Sequence, residues 1–215
     1  MLNTSYTART RKIVLGLGML LVVCAVVVVI TIVHSRLKQH QLAAWSRQAE
    51  KIFELSLGNM QEPSLRQLAS DPSAEVYRVV LSPSFTPALL VRVEVGKDGA
   101  IAHAARVEVN PDRKGPLRAA RTTTKVSREA IEQIRAEVVR ARLERMPAYD
   151  VHDMNVVDGT GWVLEVVRDG HYHVVHRGSP DTNGDARGLE QFTRVCRLIL
   201  VAGQSPDGLP APTAK

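Results

Sequence analysis

The chain opens on an unbroken apolar run and then changes period several times. Residues 13–33 read IVLGLGMLLVVCAVVVVITIV, with no charged residue. A helix of about 20 apolar residues crosses the hydrocarbon core of a bilayer. One segment cannot close a barrel, so the run predicts a single transmembrane helix. From His34 to Leu57, Leu42, Trp45, Ala49 and Ile52 recur at spacings of three and four, with Phe53 beside them. That pattern predicts a helical stalk continuing the membrane helix, with Gly58-Asn59 as its stop. Residues 61–73, with Pro63 and Pro72, read as a linker or a short helix.

Beyond Glu75 the period shortens. Val76–Leu81, Ala88–Val95 and Ile101–Val109 predict three strands, and Lys97-Asp98-Gly99 is a hairpin signal between the last two. Residues 110–125 break the pattern. Ser127 is a good cap for a helix from Arg128 to about Arg145, with Ile131, Ile134, Val138 and, near the edge, Val139 and Leu143 on one face and Pro147 ending it. Trp162–Val167 and His171–His176 predict two more strands around Arg168-Asp169-Gly170. A last helix is predicted from Ala186 to Val201, and the Pro-rich tail 204–215 reads as disordered. The order is βββαββα. Strands joined by tight turns imply an antiparallel sheet, and two helices on one face give a two-layer α+β domain. The predicted organisation is a short tail (1–12), a transmembrane helix (13–33), stalk and linker (34–74), the α+β domain (75–203) and the tail (204–215).

Charge sets the orientation. Arg9, Arg11 and Lys12 precede the span, against Arg36 and Lys38 after it. The bias predicts a cytoplasmic N-terminus, with the domain on the outer, periplasmic side of a bacterial cytoplasmic membrane. The run is too long for a cleavable signal peptide, and Thr31–Arg36 offers no small-residue cleavage site, so an uncleaved signal-anchor is expected. Cys24 follows Val22 and Val23, not the small residue a lipoprotein would place there. Cys24 and Cys196 lie in different regions, so no internal disulfide is expected. A net charge of +6 favours anionic surfaces, although part of it flanks the span. Aromatics make up 4%, which leaves the core to Val, Leu, Ile and Ala.

Candidate chemistry concentrates in the last hairpin. A two-residue Asp169-Gly170 turn pairs Arg168 with His171 and sets Glu165 opposite Val174. A three-residue turn pairs Val167 with His171 and sets Glu165 opposite His173. The second register gathers Trp162, Leu164, Val166, Tyr172, Val174 and His176 on one face, so it sorts apolar from polar better and is the one expected. A Glu165–His173 pair near His171 has the residue types to bind metal or move protons. Spacing fixes no third ligand and no nucleophile, so a structural cross-strand pair is the favoured reading and neither cofactor nor metal is called for. Cys196 and His176 read as packed residues, and Trp162 and Tyr172 as core residues with their polar tips on a partner.

Asp181-Thr182-Asn183-Gly184-Asp185 places oxygens at alternate positions. Ala186 and Phe192 occupy the places an EF-hand gives to Gly and Glu, so the segment reads as a turn and cap. Ser179 lacks a nucleophile-elbow context, and there is no phosphate-binding glycine motif. Arg113, Lys114, Arg118, Arg121 and Lys125 face a single acid, Asp112, and predict a basic loop able to contact anionic lipid, an acidic polymer or a protein partner. No aromatic interleaves them, which argues against nucleic acid.

The pattern Asp158-Gly-x-x-Trp162-x-Leu-Glu165, then Tyr172-His173-x-Val, then Arg177-x-Ser-Pro180, resembles one in small uncharacterised bacterial exported or membrane-anchored proteins. The match covers roughly the last half of the domain. The resemblance implies that Trp162, Glu165, Tyr172, His173, Arg177 and Pro180 form one recurring unit, and it implies no activity. His176 and Gly178 depart from the pattern. The sequence thus predicts a non-catalytic binding domain held at the membrane by lipid contact through 13–33, with the stalk open to a protein partner or a second copy. The alternatives are a metal-assisted envelope enzyme using Glu165, His171 and His173, and a bitopic subunit of an envelope assembly.

Overall fold

In a computed structural model the chain divides into two compact units, Met1–Trp45 and Ser46–Lys215. The structure describes residues 4–107, 119–150, 152–153, 158–182 and 184–203, with side chains from residue 24 onward. The predicted N-terminal charge bias, residues 13–23 of the predicted span, and the tail 204–215 therefore lie outside the residues whose side chains are described.

The first helix, α1, spans Thr4–Asn59 and continues from the first unit into the second. Within the first unit, Val26, Val27, Val28, Val29, Ile30, Ile32 and Val33 are 48–61% exposed. Among the described residues, no helix is long and apolar enough to cross a membrane.

The second unit is built on a six-stranded sheet in the order β4-β3-β2-β1-β5-β6. The strands are β1 (Glu75–Pro83), β2 (Leu89–Gly96), β3 (Gly99–Val107), β4 (Ala119–Val126), β5 (Thr160–Arg168) and β6 (His171–Gly178). Every pairing is antiparallel. The sequence reading missed β4 because its charges look like a loop. Thr122, Thr123 and Thr124 supply β-branched residues that favour a strand. Its mostly exposed, basic edge discourages pairing with another chain. Arg121 and Lys125 thus sit on a strand, while Arg113, Lys114 and Arg118 fall outside the described residues.

One face of the sheet carries α2 (Arg128–Ala141) and α3 (Glu190–Ala202). The Ser127 side chain accepts from the Ala130 amide at 3.2 Å, which makes it the predicted cap. Arg142, at φ 47°, ends α2 before Pro147 is reached, and a 3-10 turn follows at Leu143–Arg145. α3 starts later than the pattern suggested, after a 3-10 turn at Asp185–Arg187. Ile134, Phe192, Val195, Cys196 and Ile199 close over Tyr77, Val79, Val91, Val93 and Leu164.

The opposite face is covered as well. Phe53, Leu57 and Met60, at and just beyond the end of α1, pack on Val80, Leu90, Ala105 and Val163. Leu65, in a 3-10 turn at Leu65–Ser70, packs on Val76 and Val167. The end of the predicted stalk and the linker are therefore a third layer of the fold, where two layers beginning near Glu75 were expected. Covering both faces explains why apolar residues stand at adjacent positions in β1 and β5, broken only by Arg78 and Glu165, which pair with each other.

The β5–β6 register corrects the sequence reading. Arg168 pairs with His171 across a two-residue turn, and Glu165 lies opposite Val174 while His173 lies opposite Val166. Asp169 (φ 53°) and Gly170 (φ 74°) both occupy the left-handed region, as a type I′ turn requires. Sorting apolar residues onto one face presupposes that the other meets solvent, and here both faces are covered.

Candidate functional site

The face under the end of α1 carries a row of polar residues running across the strands. Register places Thr123, His103, Arg92, Arg78, Glu165 and Val174 side by side on β4, β3, β2, β1, β5 and β6. Arg78 and Glu165 are 0% and 2% exposed. Arg78 Nε donates to Glu165 Oε2 at 2.5 Å, and the Tyr172 hydroxyl donates to Glu165 Oε1 at 2.9 Å. Both carboxylate oxygens are thereby satisfied. A buried charge is tolerated only when paired in this way.

Arginines of this face also fasten the chain that follows α1. Arg78 Nη1 donates to the Pro63 carbonyl at 2.6 Å, and Arg121 Nη2 donates to the Met60 carbonyl. Glu62, also buried, accepts from Arg92 Nε at 2.9 Å and from Arg121 Nη1 at 3.4 Å. Carbonyls past a helix end lack intrahelical partners, and cationic side chains suit that position. Arg78 Nη2 has no partner among the described residues.

Beside this row lies a cleft of about 460 Å³ between the last turns of α1, residues 62–66, Ala148-Tyr149 and the β5–β6 hairpin. Its size suits a small ligand or a side chain. Phe53, Leu57, Val174 and His176 supply apolar and aromatic wall, and the Glu165–Tyr172 pair also lines it. His176 is 6% exposed, stacked on Tyr149 at 4.4 Å and edge-on to Phe53 at 5.3 Å. Burial, then the nearby Arg177 guanidinium, pushes its pKa down to about 4, so the ring is neutral at pH 7. Burial and the carboxylates of Glu50 and Glu54 raise the Tyr149 phenol to about 12. Burial and Glu165 likewise raise Tyr172. Arg66 sits across one side, 3.3 Å from Glu50 and 5.3 Å over the Tyr172 ring.

The predicted hairpin residues separate onto two faces. Glu165 and Tyr172 share the cleft face, so Tyr172 does not join Trp162 as expected. His171, His173, Trp162 and Arg177 point to the other. The Glu165–His173 pair does not form. His173 lies near the 3-10 turn after α2, where burial lowers its pKa. His171 is exposed at the strand start. Trp162 is core, as expected, although its Nε1 has no partner among the described residues. His176 is packed, as expected, but on the face opposite Trp162.

Arg177 is a fastening residue. It is 3% exposed and donates to the carbonyls of His176 at 2.5 Å and Pro147 at 2.9 Å. Buried Asp153 accepts from the Gly178 amide at 2.8 Å and pairs with Arg187. Sequence reasoning missed Arg78, Arg92 and Glu62 as site residues. A lone charge midway along an apolar stretch, as in VYRVV and LLVRV, was the signal for the first two. Compared with known proteins, the chain matches no family model and no curated sequence.

Proposed function

We propose that the chain is a single-pass membrane-anchored protein whose α+β domain acts as a non-catalytic binding domain at the outer face of a bacterial cytoplasmic membrane. The observation that carries the reading is the exposure of the apolar side chains of residues 26–33 on a continuous helix. A contiguous apolar surface of that kind marks a lipid or protein contact. It adjoins residues 13–23, which continue the same uncharged run to the length a bilayer needs. The positive bias before the run supports an inside N-terminus.

A binding role is favoured over the metal-assisted one because the Glu165 carboxylate lies on the opposite sheet face from the His171 and His173 rings. Both Glu165 oxygens are already engaged by Arg78 and Tyr172. The cleft, by contrast, offers concave surface with convergent polar groups and no activated nucleophile. Reporter fusions test the placement. Alkaline phosphatase fused after residue 203 is expected to be active, and a cytoplasmic-only fluorescent reporter at the same point dark. The reverse pair of results rejects the orientation.

A further inference from the structure

We infer that the cleft beside Glu165 is a binding site for an organic cation, specifically a guanidinium or ammonium group on an apolar stem, and that Arg66, on its rim, competes in cis for the same ring and carboxylate. Two features of the cleft agree on that chemistry, and its size admits the group. The cavity, about 460 Å³, exceeds what one guanidinium fills. Its charged lining is mainly acidic, with Glu50, Glu54, Glu62 and Glu165 against Arg66. Its walls are aromatic, and a cation is attracted to the face of such rings within about 6 Å of the centroid.

A third observation is a guanidinium already held at the rim. Arg66 holds its Cζ 5.3 Å over the Tyr172 ring and its Nη2 3.3 Å from Glu50 Oε1. This is the geometry a cationic ligand would adopt. Yet the Arg66 side chain is 65% exposed, so little besides these contacts restrains it from swinging into solvent. Glu62 and Glu165 are committed to sheet arginines, which leaves Glu50 and Glu54 to meet an incoming charge. Phe53, Leu57 and Val174 would take its stem. His176, uncharged at neutral pH, adds no repulsion. A side chain that occupies the site part of the time lowers the apparent affinity of any competitor by the fraction of sites left open. The inference does not depend on the membrane anchor.

The test is ligand-observed saturation-transfer NMR of butylguanidine over the full chain in an uncharged detergent, with uncharged butylurea as the isostere. The full chain should bind butylguanidine saturably and butylurea far less. Arg66→Gln should tighten butylguanidine binding by about threefold to tenfold as the inner competitor is removed. The gain must exceed that of Arg128→Gln, which removes the same charge from the exposed start of α2. Glu54→Gln, an exposed change compatible with folding, and Tyr149→Leu should each weaken binding by about threefold or more. The blocked peptide acetyl-Ala-Arg-Ala-amide identifies the source: a signal for both probes points to the cationic group alone, and a stronger signal for the peptide points to an arginine on a polypeptide. Each of these supports the site. Equal binding of butylurea, no saturable binding even in Arg66→Gln, weaker binding in Arg66→Gln, or a gain no larger than that of Arg128→Gln overturns it.

Discussion

Arg78 is fully enclosed, yet it carries a formal charge, and the groups around it decide whether that charge is tolerable. Glu165 at 2.5 Å and the Pro63 carbonyl at 2.6 Å provide the compensation. Removing one partner of such a pair strands the other, which costs about 3–5 kcal/mol, whereas replacing both with apolar residues of similar size is often neutral. Glu165→Ala is therefore expected to lower unfolding free energy by about 3–5 kcal/mol in denaturant titration, and the double change Arg78→Met with Glu165→Leu to lower it much less. Equal losses in the two variants would contradict the pairing. His176 gives a pH signature. Its folded pKa, about 4, lies below the ordinary 6.5. Between those values the unfolded chain binds a proton that the folded chain refuses, so stability is full above pH 6.5 and is lost as pH falls toward 4. From pH 7 to pH 5 the contribution amounts to about 2 kcal/mol. His176→Gln should remove that part of the slope in parallel denaturant titrations at the two pH values.

At the scale of elements, the end of α1 is the unexpected participant. Phe53 and Leu57 are buried against the sheet, while Ile52 and Leu55 on the same helix are 53% and 59% exposed. Leu57→Ala is expected to cost about 2–5 kcal/mol and Leu55→Ala less than about 0.5 kcal/mol. Thermal melts of the two variants check the contrast, and similar effects would show that α1 is not packed here. The elements that alternate or cap cleanly were legible in the sequence: β1, β2, β3, β5, β6 and both helices on the Tyr77 face. The Ser127 cap and the α1 stop at Gly58-Asn59 were legible too. β4 was not, because Arg121 and Lys125 disguise three β-branched threonines. The hairpin register was not, because sorting Trp162, Tyr172 and His176 onto one face presumes a solvated face that α1 and Leu65 remove. The local clue was present in Asp169-Gly170, whose preference for a type I′ turn fixes a two-residue loop. The cleft could not be read from sequence, since its walls come from residues 50–66, 148–149 and 165–176.

At the scale of the whole molecule, a folded domain incorporates the end of a long helix, and that helix carries exposed apolar side chains over residues 26–33. Water does not tolerate such a surface cheaply. Burying one valine or isoleucine side chain is worth about 1.5–3 kcal/mol, so several together favour an apolar partner, and the proposed anchor makes that partner lipid. The central claim is the anchor, and alkaline carbonate extraction of membranes tests it most directly. The full chain is predicted to remain in the membrane pellet, and the chain beginning at Ser46 to appear in the supernatant. Recovery of the full chain in the supernatant alongside the shortened one would contradict the account.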